Sequence, residues 1–314
     1  MTDLYTATLD AVAELDPPLL DDPATRPMIE LGAQLIGEVT ERYGSPAAPR
    51  WASGTVETDV WMSYHNGGLD GHTSAGPLGN GVPRNVLLIS AAINAAAGHE
   101  VVDPTLRAAL FVAGAAHDHT QLCGRALLHE GRGAHRGDET LSATTARNRC
   151  MEAGIAPDLA VLVFLSVMAT AFDPETKSQN IDPERTPRAV LAQEITAAAD
   201  LLSLTARRGP LGSIEMVCES LCLRQRGRLV QQQLAAATAI NSTAWLLDCI
   251  DGDHILRHAF TEAIAGQAAF YAGHRFSDYR IREVCGAGID ELFPGRERNV
   301  ETLTLFGQLL ADQR

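Results

Sequence analysis

The segment Asp103 to Cys123, DPTLRAALFVAGAAHDHTQLC, decides how the sequence is interpreted. Its first residue is a good helix N-cap, and Pro104 suits the first helical position, where the backbone needs no N–H. Apolar residues follow at mixed three- and four-residue spacing, which predicts a buried helix. That helix ends on three ionisable residues, His117-Asp118-His119. Because burying polar groups without partners costs several kcal/mol, we expect a partner here, and a metal ion is one such partner.

Length and composition limit the class of protein. The 314 residues are 46% hydrophobic and 20% charged, so the chain can bury a large core. The net charge of −14 disfavours nucleic acid and anionic membranes as partners, because both need an excess of Lys and Arg. The 6 cysteines form no CxxC pair, and the acidic N-terminus has no signal-peptide core. We therefore expect reduced thiols and a cytoplasmic location.

Helical periodicity runs through most of the chain. It predicts helices over residues 27–43, 85–97, 141–153, 157–172 and 189–207, in addition to the central helix that begins at Pro104 and ends on His117-Asp118-His119. Patterning after residue 212 is also helical, and there is little alternation of Val and Ile that would indicate strands. The longest apolar run, residues 159–172, is too short to span a bilayer. The predicted fold class is all-α.

Histidines and aspartates around the central helix could ligate a metal ion. His65 and His72 precede that helix, His117-Asp118 end it, and Asp200 lies on a later predicted helix. Imidazole and carboxylate suit borderline or hard divalent ions. A site with three or four protein ligands keeps coordination positions open for water, which a metal converts to a nucleophile near neutral pH. The pattern therefore favours a hydrolytic metal centre.

The order of these motifs resembles the HD-domain superfamily of metal-dependent phosphohydrolases, which includes the cyclic-nucleotide phosphodiesterases. Tyr64-His65-Asn66 followed by His72-Thr73 resembles the family's YHNxxHT opening. AALFVAGAAHD, residues 108–118, resembles the helix that ends in the His-Asp pair, and ITAAADLLSL, residues 195–204, resembles the helix with the last aspartate. GDETLSATTARNRCMEAGI, residues 137–155, resembles an "NExxSA" helix found between them in several bacterial members.

The resemblance implies an HD-type helical bundle with additional C-terminal helices. It implies four metal ligands: His72, His117, Asp118 and Asp200. By the same carry-over, His65 would donate a proton to the leaving group and Glu139 would orient water or a ligand. His119 would face the substrate or belong to a loop. The expected division is an N-terminal helical segment over 1–59, the metal-binding core over 60–208 and a C-terminal helical extension over 209–314.

Two points about the metal site stay open at this stage. The interval between His65 and His72 is three residues longer than in YHNxxH, and His72 lies among glycines. We favour His72 as the ligand because His-Thr followed by a helix is the better match. No histidine occurs between Arg136 and Asp200, so a second, histidine-ligated ion is not favoured. We expect one divalent ion (Zn, Mn, Fe, Mg or Ni), or a second one held through Asp118 and water.

A second set of metal-ligating residues lies near the C-terminus. His254, His258 and Glu262 share one helical face at four-residue spacing. The general-base glutamate of HExxH is absent, because Ile255 stands in that position. An ordinary surface face is therefore the preferred interpretation.

The leading hypothesis is an HD-type hydrolase that cleaves a phosphate mono- or diester, of a small molecule or nucleotide, by a metal-activated water. One alternative is an HD-type iron-dependent oxygenase, or another metal-dependent enzyme, acting on a small molecule. Another is a non-catalytic helical binding domain. The expected partner is a small-molecule substrate without nucleic acid or membrane, and assembly into a homo-oligomer stays open.

Overall fold

The computed structural model describes residues 4–43, 81–117, 135–173, 178–202 and 254–312. Helices account for 77% of the interpretable residues, and the β-structure among them is one pair of two-residue strands. The prediction of an all-α fold is therefore confirmed. No helix in the described ranges is long and apolar enough to cross a membrane.

Three helices lie in the first described range, residues 4–43: α1 (Leu4–Leu15), α2 (Pro18–Asp21) and α3 (Arg26–Tyr43). The long helix α3 begins one residue before its predicted start and ends where predicted. In the turn between α2 and α3, the buried hydroxyl of Thr25 donates to the carbonyl of Leu19 at 2.7 Å. Both α2 and α3 pack against the predicted central helix.

The central helix is α5 (Pro104–Ala116), and it follows α4 (Val82–Ala97). Its predicted N-cap is confirmed, because the carboxylate of Asp103 accepts a hydrogen bond from the backbone N–H of Leu106 at 2.8 Å. Every residue from Leu106 to Gly114 is buried. A helix that is buried on all of its faces needs neighbours on all sides, and α5 contacts α2, α3 and α4 as well as the helices that follow it.

The next elements are α6 (His135–Glu152), α7 (Pro157–Met168), β1 (Phe172–Asp173), β2 (Ser178–Gln179) and α8 (Pro187–Asp200). All three of these helices contact α5. The first, α6, begins six residues earlier than the pattern predicted. The second, α7, ends four residues earlier than predicted, because the chain turns there into β1, which pairs antiparallel with β2.

The helix that carries Asp200 is shorter than predicted. The periodicity predicted that it would continue for seven more residues, whereas α8 ends at Asp200. Side-chain amides bind two of its last carbonyls. The amide of Gln179 donates to the carbonyl of Ala197 at 2.6 Å, and the amide of Asn85 donates to that of Ala199 at 2.9 Å. Both donors lie outside the helix, so its own sequence could not show this end.

The C-terminal elements are α9 (His254–Gly273), α10 (Tyr279–Cys285), α11 (Ile289–Leu292) and α12 (Arg296–Asp312). The long helices α9 and α12 pack against each other, whereas α10 contacts α4 and α8. Ile281 of α10 belongs to the same hydrophobic core as the residues of α5. The two predicted domain boundaries fall outside the described residues, so that division stays a prediction.

Candidate functional site

The C-terminal ends of α5 and α8 meet at a histidine and an aspartate. His117 directly follows α5, and Asp200 is the last residue of α8. The Nε2 atom of His117 lies 3.5 Å from Oδ1 of Asp200, and the two side chains are 6% and 24% exposed. The structure therefore brings together two of the four predicted metal ligands from distant parts of the chain. The carboxylate is the more open of the two, so the pair can be reached from its side.

The hydrogen bond on the other ring nitrogen fixes the tautomer of His117. Its Nδ1 atom lies 2.8 Å from the carbonyl oxygen of Gly114. A carbonyl only accepts hydrogen bonds, so Nδ1 must carry the proton and donate it. In the neutral ring, the lone pair of Nε2 then faces the carboxylate of Asp200. Two electron-rich atoms at this separation favour a proton or a cation between them. Histidine ligands commonly have this arrangement, with one nitrogen bonded to a carbonyl and the other presented to a metal.

Helix electrostatics favour a cation at the same place. The carbonyl end of a helix carries roughly half a negative charge, and here two such ends converge beside a carboxylate. Neither α5 nor α8 has a basic residue in its last turn, although basic residues are favoured there. The local field in these two described turns is therefore negative and suits a bound cation.

Most of the other predicted site residues cannot be compared with the structure. His65, His72, Asp118 and His119 lie outside the described residues. Within the described ranges there is no group of three or more His, Cys, Asp or Glu side chains that could hold a metal ion. The described part of the site is therefore a pair of side chains, and the other two proposed ligands stay predictions.

Glu139 lies on α6, where its side chain is buried. Helix α6 packs against α5, whose end carries His117. A buried carboxylate on a helix next to the candidate pair is compatible with the predicted role of orienting water or a ligand. That role stays a prediction.

The second candidate set forms a surface pair on α9. Nε2 of His258 lies 3.4 Å from Oε1 of Glu262, and these side chains are 68% and 70% exposed. The two residues are one helical turn apart, so regular helix geometry is sufficient to bring them together. This arrangement matches the preferred interpretation of an ordinary surface face.

Sequence reasoning did not identify Glu194, a buried carboxylate on α8. Its two oxygens accept hydrogen bonds from the backbone N–H groups of Arg280 at 2.9 Å and Ile281 at 2.8 Å. Burial raises the pKa of Glu194 to about 7, although the two N–H donors favour the charged form. The only sequence signal is an acidic residue in the interior of an alanine-rich helix. Its partners lie in a different part of the chain, which that signal could not reveal.

Glu194 also borders an open groove of about 790 Å³ between the start of α8 and the start of α10. Apolar groups such as Val190 and Phe276 line it together with three arginines, Arg185, Arg280 and Arg282. All three bind carboxylates: Arg185 is paired with Asp182, Arg280 with Glu283, and Arg282 with both Asp278 and Glu291. The groove therefore has little uncompensated positive charge with which to select an anionic ligand.

Comparison with known proteins does not assign a family. No protein-family model, curated protein or solved structure matches this chain. The resemblance to HD domains stays a hypothesis, which depends on the sequence motifs. The approach of His117 to Asp200 is compatible with it.

Proposed function

We propose that this protein is an HD-type metal-dependent hydrolase that cleaves a phosphate mono- or diester. The observation that supports this most directly is the approach of His117 Nε2 to Asp200 Oδ1 at the junction of two helix ends. These are the residue types, in the order along the chain, that the HD resemblance assigns to a divalent ion. Their convergence from two separate helices is not a consequence of sequence proximity.

The distance between the two donor atoms fits ligation of one ion. Zinc lies about 2.1 Å from imidazole nitrogen and carboxylate oxygen, so two atoms that ligate the same ion are at most about 4.2 Å apart. The separation in this protein is 3.5 Å. The tautomer of His117 is also the one that presents a lone pair to such an ion. His117 and Asp200 would hold it together with Asp118 and His72, which complete the proposed set.

When bound, the ion would polarise a phosphoryl oxygen and supply an activated water. The chain's own residues would orient the ligands, admit the substrate and transfer the proton. The carbonyl of Gly114 holds the ring of His117 in one orientation, so Nε2 does not have to reorient on binding. The partly exposed side of Asp200 leaves an approach for a small substrate. His65 is the proposed proton donor to the departing oxygen, and Glu139 the proposed water-orienting carboxylate.

The first experiment compares His117→Ala with His258→Ala. Both histidines face a carboxylate at nearly the same distance, 3.5 Å and 3.4 Å, but only His117 belongs to the candidate site. Each protein would be assayed for bound metal by elemental analysis. Each would also be assayed for hydrolysis across a panel of phosphate mono- and diesters with added Zn, Mn, Fe, Mg or Ni.

We expect His117→Ala to lose metal and to lose activity by on the order of 100-fold or more, since changes near a metal ligand alone cost 10- to 100-fold. His258→Ala should match the wild type in both assays. Equal metal content and activity in His117→Ala and wild type would contradict the proposal. A wild-type protein that takes up none of the five ions would contradict it as well.

A further inference from the structure

The first turn of α4 lies against both helix ends that carry the candidate pair. On one side, the amide of Asn85 donates to the carbonyl of Ala199 at 2.9 Å, one residue before Asp200. On the other side, the backbone of Pro83 lies against Gly114. The carbonyl of Gly114 is the group that binds the ring of His117. The first turn of α4 therefore contacts both Ala199, which precedes Asp200, and Gly114, whose carbonyl binds the ring of His117.

The contact with α8 is made through a buried hydrogen bond. The last four carbonyls of a helix have no partner within the helix, and Ala199 belongs to that set in α8. Asn85 is buried, and its bond to Ala199 joins residues 114 positions apart in the sequence. The backbone N–H of Leu201 also donates to this carbonyl, so the Asn85 bond is the contact that ties it to α4 and resists displacement of the end of α8.

The contact with α5 is made between backbones. A methyl group added at Gly114 would lie 3.0 Å from both N and Cα of Pro83 and 3.1 Å from the carbonyl carbon of Val82. Backbone atoms cannot move aside as the tip of a flexible side chain can. The proline ring also restricts φ at this position. The approach of α4 to α5 is therefore set by close packing at Gly114.

We propose that Asn85 is a positioning residue that, with the packing of Pro83 on Gly114, sets the separation of His117 Nε2 and Asp200 Oδ1. This inference rests on the function proposed above. A metal site must hold its ligands within about 0.5 Å of the productive geometry. Loss of the Asn85 bond frees the end of α8 on one side only, so Asp200 moves relative to His117 and the ion binds more weakly.

Asn94 provides a matched control on the same helix. Its amide donates to the carbonyl of Val102 at 3.0 Å, and its side-chain oxygen accepts from the N–H groups of Val101 and Val102 at 2.8 Å each. It lies nine residues after Asn85, about 13 Å along the helix axis. Asn94→Ala therefore removes hydrogen bonds between an α4 side chain and the backbone, but it leaves the contacts of α4 with Gly114 and Ala199 in place.

The experiment measures binding of Co²⁺ and Zn²⁺ to the full chain by calorimetry, together with the visible spectrum of the Co²⁺ form and the thermal stability of the metal-free form. Asn85→Ala should bind both ions 10- to 100-fold more weakly, the usual effect of losing a group that orients a ligand. Its Co²⁺ spectrum should change as well. Asn94→Ala should lose thermal stability but keep the wild-type affinity and spectrum.

The two possible failures are distinguishable. If the wild type binds these ions and Asn85→Ala binds them equally well, the inference is wrong and the proposed function stands. If the wild type binds neither of these ions nor Mn, Fe, Mg or Ni, the metal-dependent function is wrong and the inference falls with it. Should Asn85→Ala not fold, Asn85→Ser tests the same point, because it keeps a hydroxyl donor but shortens its reach. Gly114→Ala, which forces α4 away from α5, should also weaken binding.

Discussion

Two histidine–carboxylate pairs in this protein have almost the same separation and very different surroundings. His117 and Asp200 are 3.5 Å apart at the buried junction of two helices, and His258 and Glu262 are 3.4 Å apart on the exposed face of α9. Helix geometry alone explains the exposed pair, because its members are one turn apart. Tertiary packing is needed to bring His117 and Asp200 together. The comparison teaches that the environment of two donor atoms, more than the distance between them, identifies a candidate site.

The largest expected effect is the loss of folding stability when the packing of α5, the helix that precedes His117, is disrupted. Phe111 is fully buried on α5, and Leu309 on α12 is 62% exposed. Phe111→Ala should lower the free energy of unfolding by about 3–5 kcal/mol, because it removes a large buried side chain and leaves a cavity. Leu309→Ala should change it by about 0.5 kcal/mol or less. Urea denaturation measures both values, and similar losses in the two variants would contradict the packing described for α5.

The next prediction compares two carboxylates, Asp200 of the candidate site and Glu262 of the exposed pair. Asp200→Ala should weaken metal binding by on the order of 100-fold or more. Loss of a ligand should cost more than loss of a group that only orients a ligand. The circular-dichroism spectrum should stay nearly unchanged, since alanine favours helix. Glu262→Ala should keep the wild-type affinity in calorimetry. Unchanged metal binding in Asp200→Ala would remove the reason to group Asp200 with His117 and Asp118.

The sequence predicted the helices better than it predicted their ends. Helix α3 and the start of α5 follow from 3.6-residue periodicity and from local signals such as the Asp103 cap. The end of α8 was predicted wrongly because the groups that bind its carbonyls, Gln179 and Asn85, belong to other elements. Periodicity describes one face of one helix, and it contains no information about which distant side chain reaches its end.

For the candidate site, the sequence predicted only the part that a motif marks. Asp200 was grouped with His117 because of the order of motifs in the HD resemblance, and the structure places the two side chains in contact range. The buried carboxylate Glu194 has no such motif, and its partners at Arg280 and Ile281 are backbone N–H groups. Any residue type except proline can supply a backbone N–H, so no residue pattern marks that interaction.

Glu194 offers the smallest and last test, because it is a second carboxylate on α8 but is buried and has no histidine partner in the described contacts. Burial raises its pKa from the ordinary value of 4.5 to about 7, with Asp278 acting in the same direction and the two N–H bonds and Arg280 opposing. The folded protein therefore binds more protons than the unfolded chain between these pH values. It follows that this group's contribution to stability falls as the pH rises from 4.5 to 7.

Glu194→Gln keeps the size of the side chain and cannot ionise, so it should remove this part of the pH dependence. The difference in unfolding free energy between variant and wild type should shift in favour of the variant by on the order of 2 kcal/mol across that range. Urea denaturation at a series of pH values measures the shift. Metal affinity should stay unchanged, because the groups that hold His117 and Asp200 are left in place. Stability curves that run parallel in the two proteins would show that Glu194 is not the titrating group. Weakened metal binding would show that the two carboxylates of α8 are coupled.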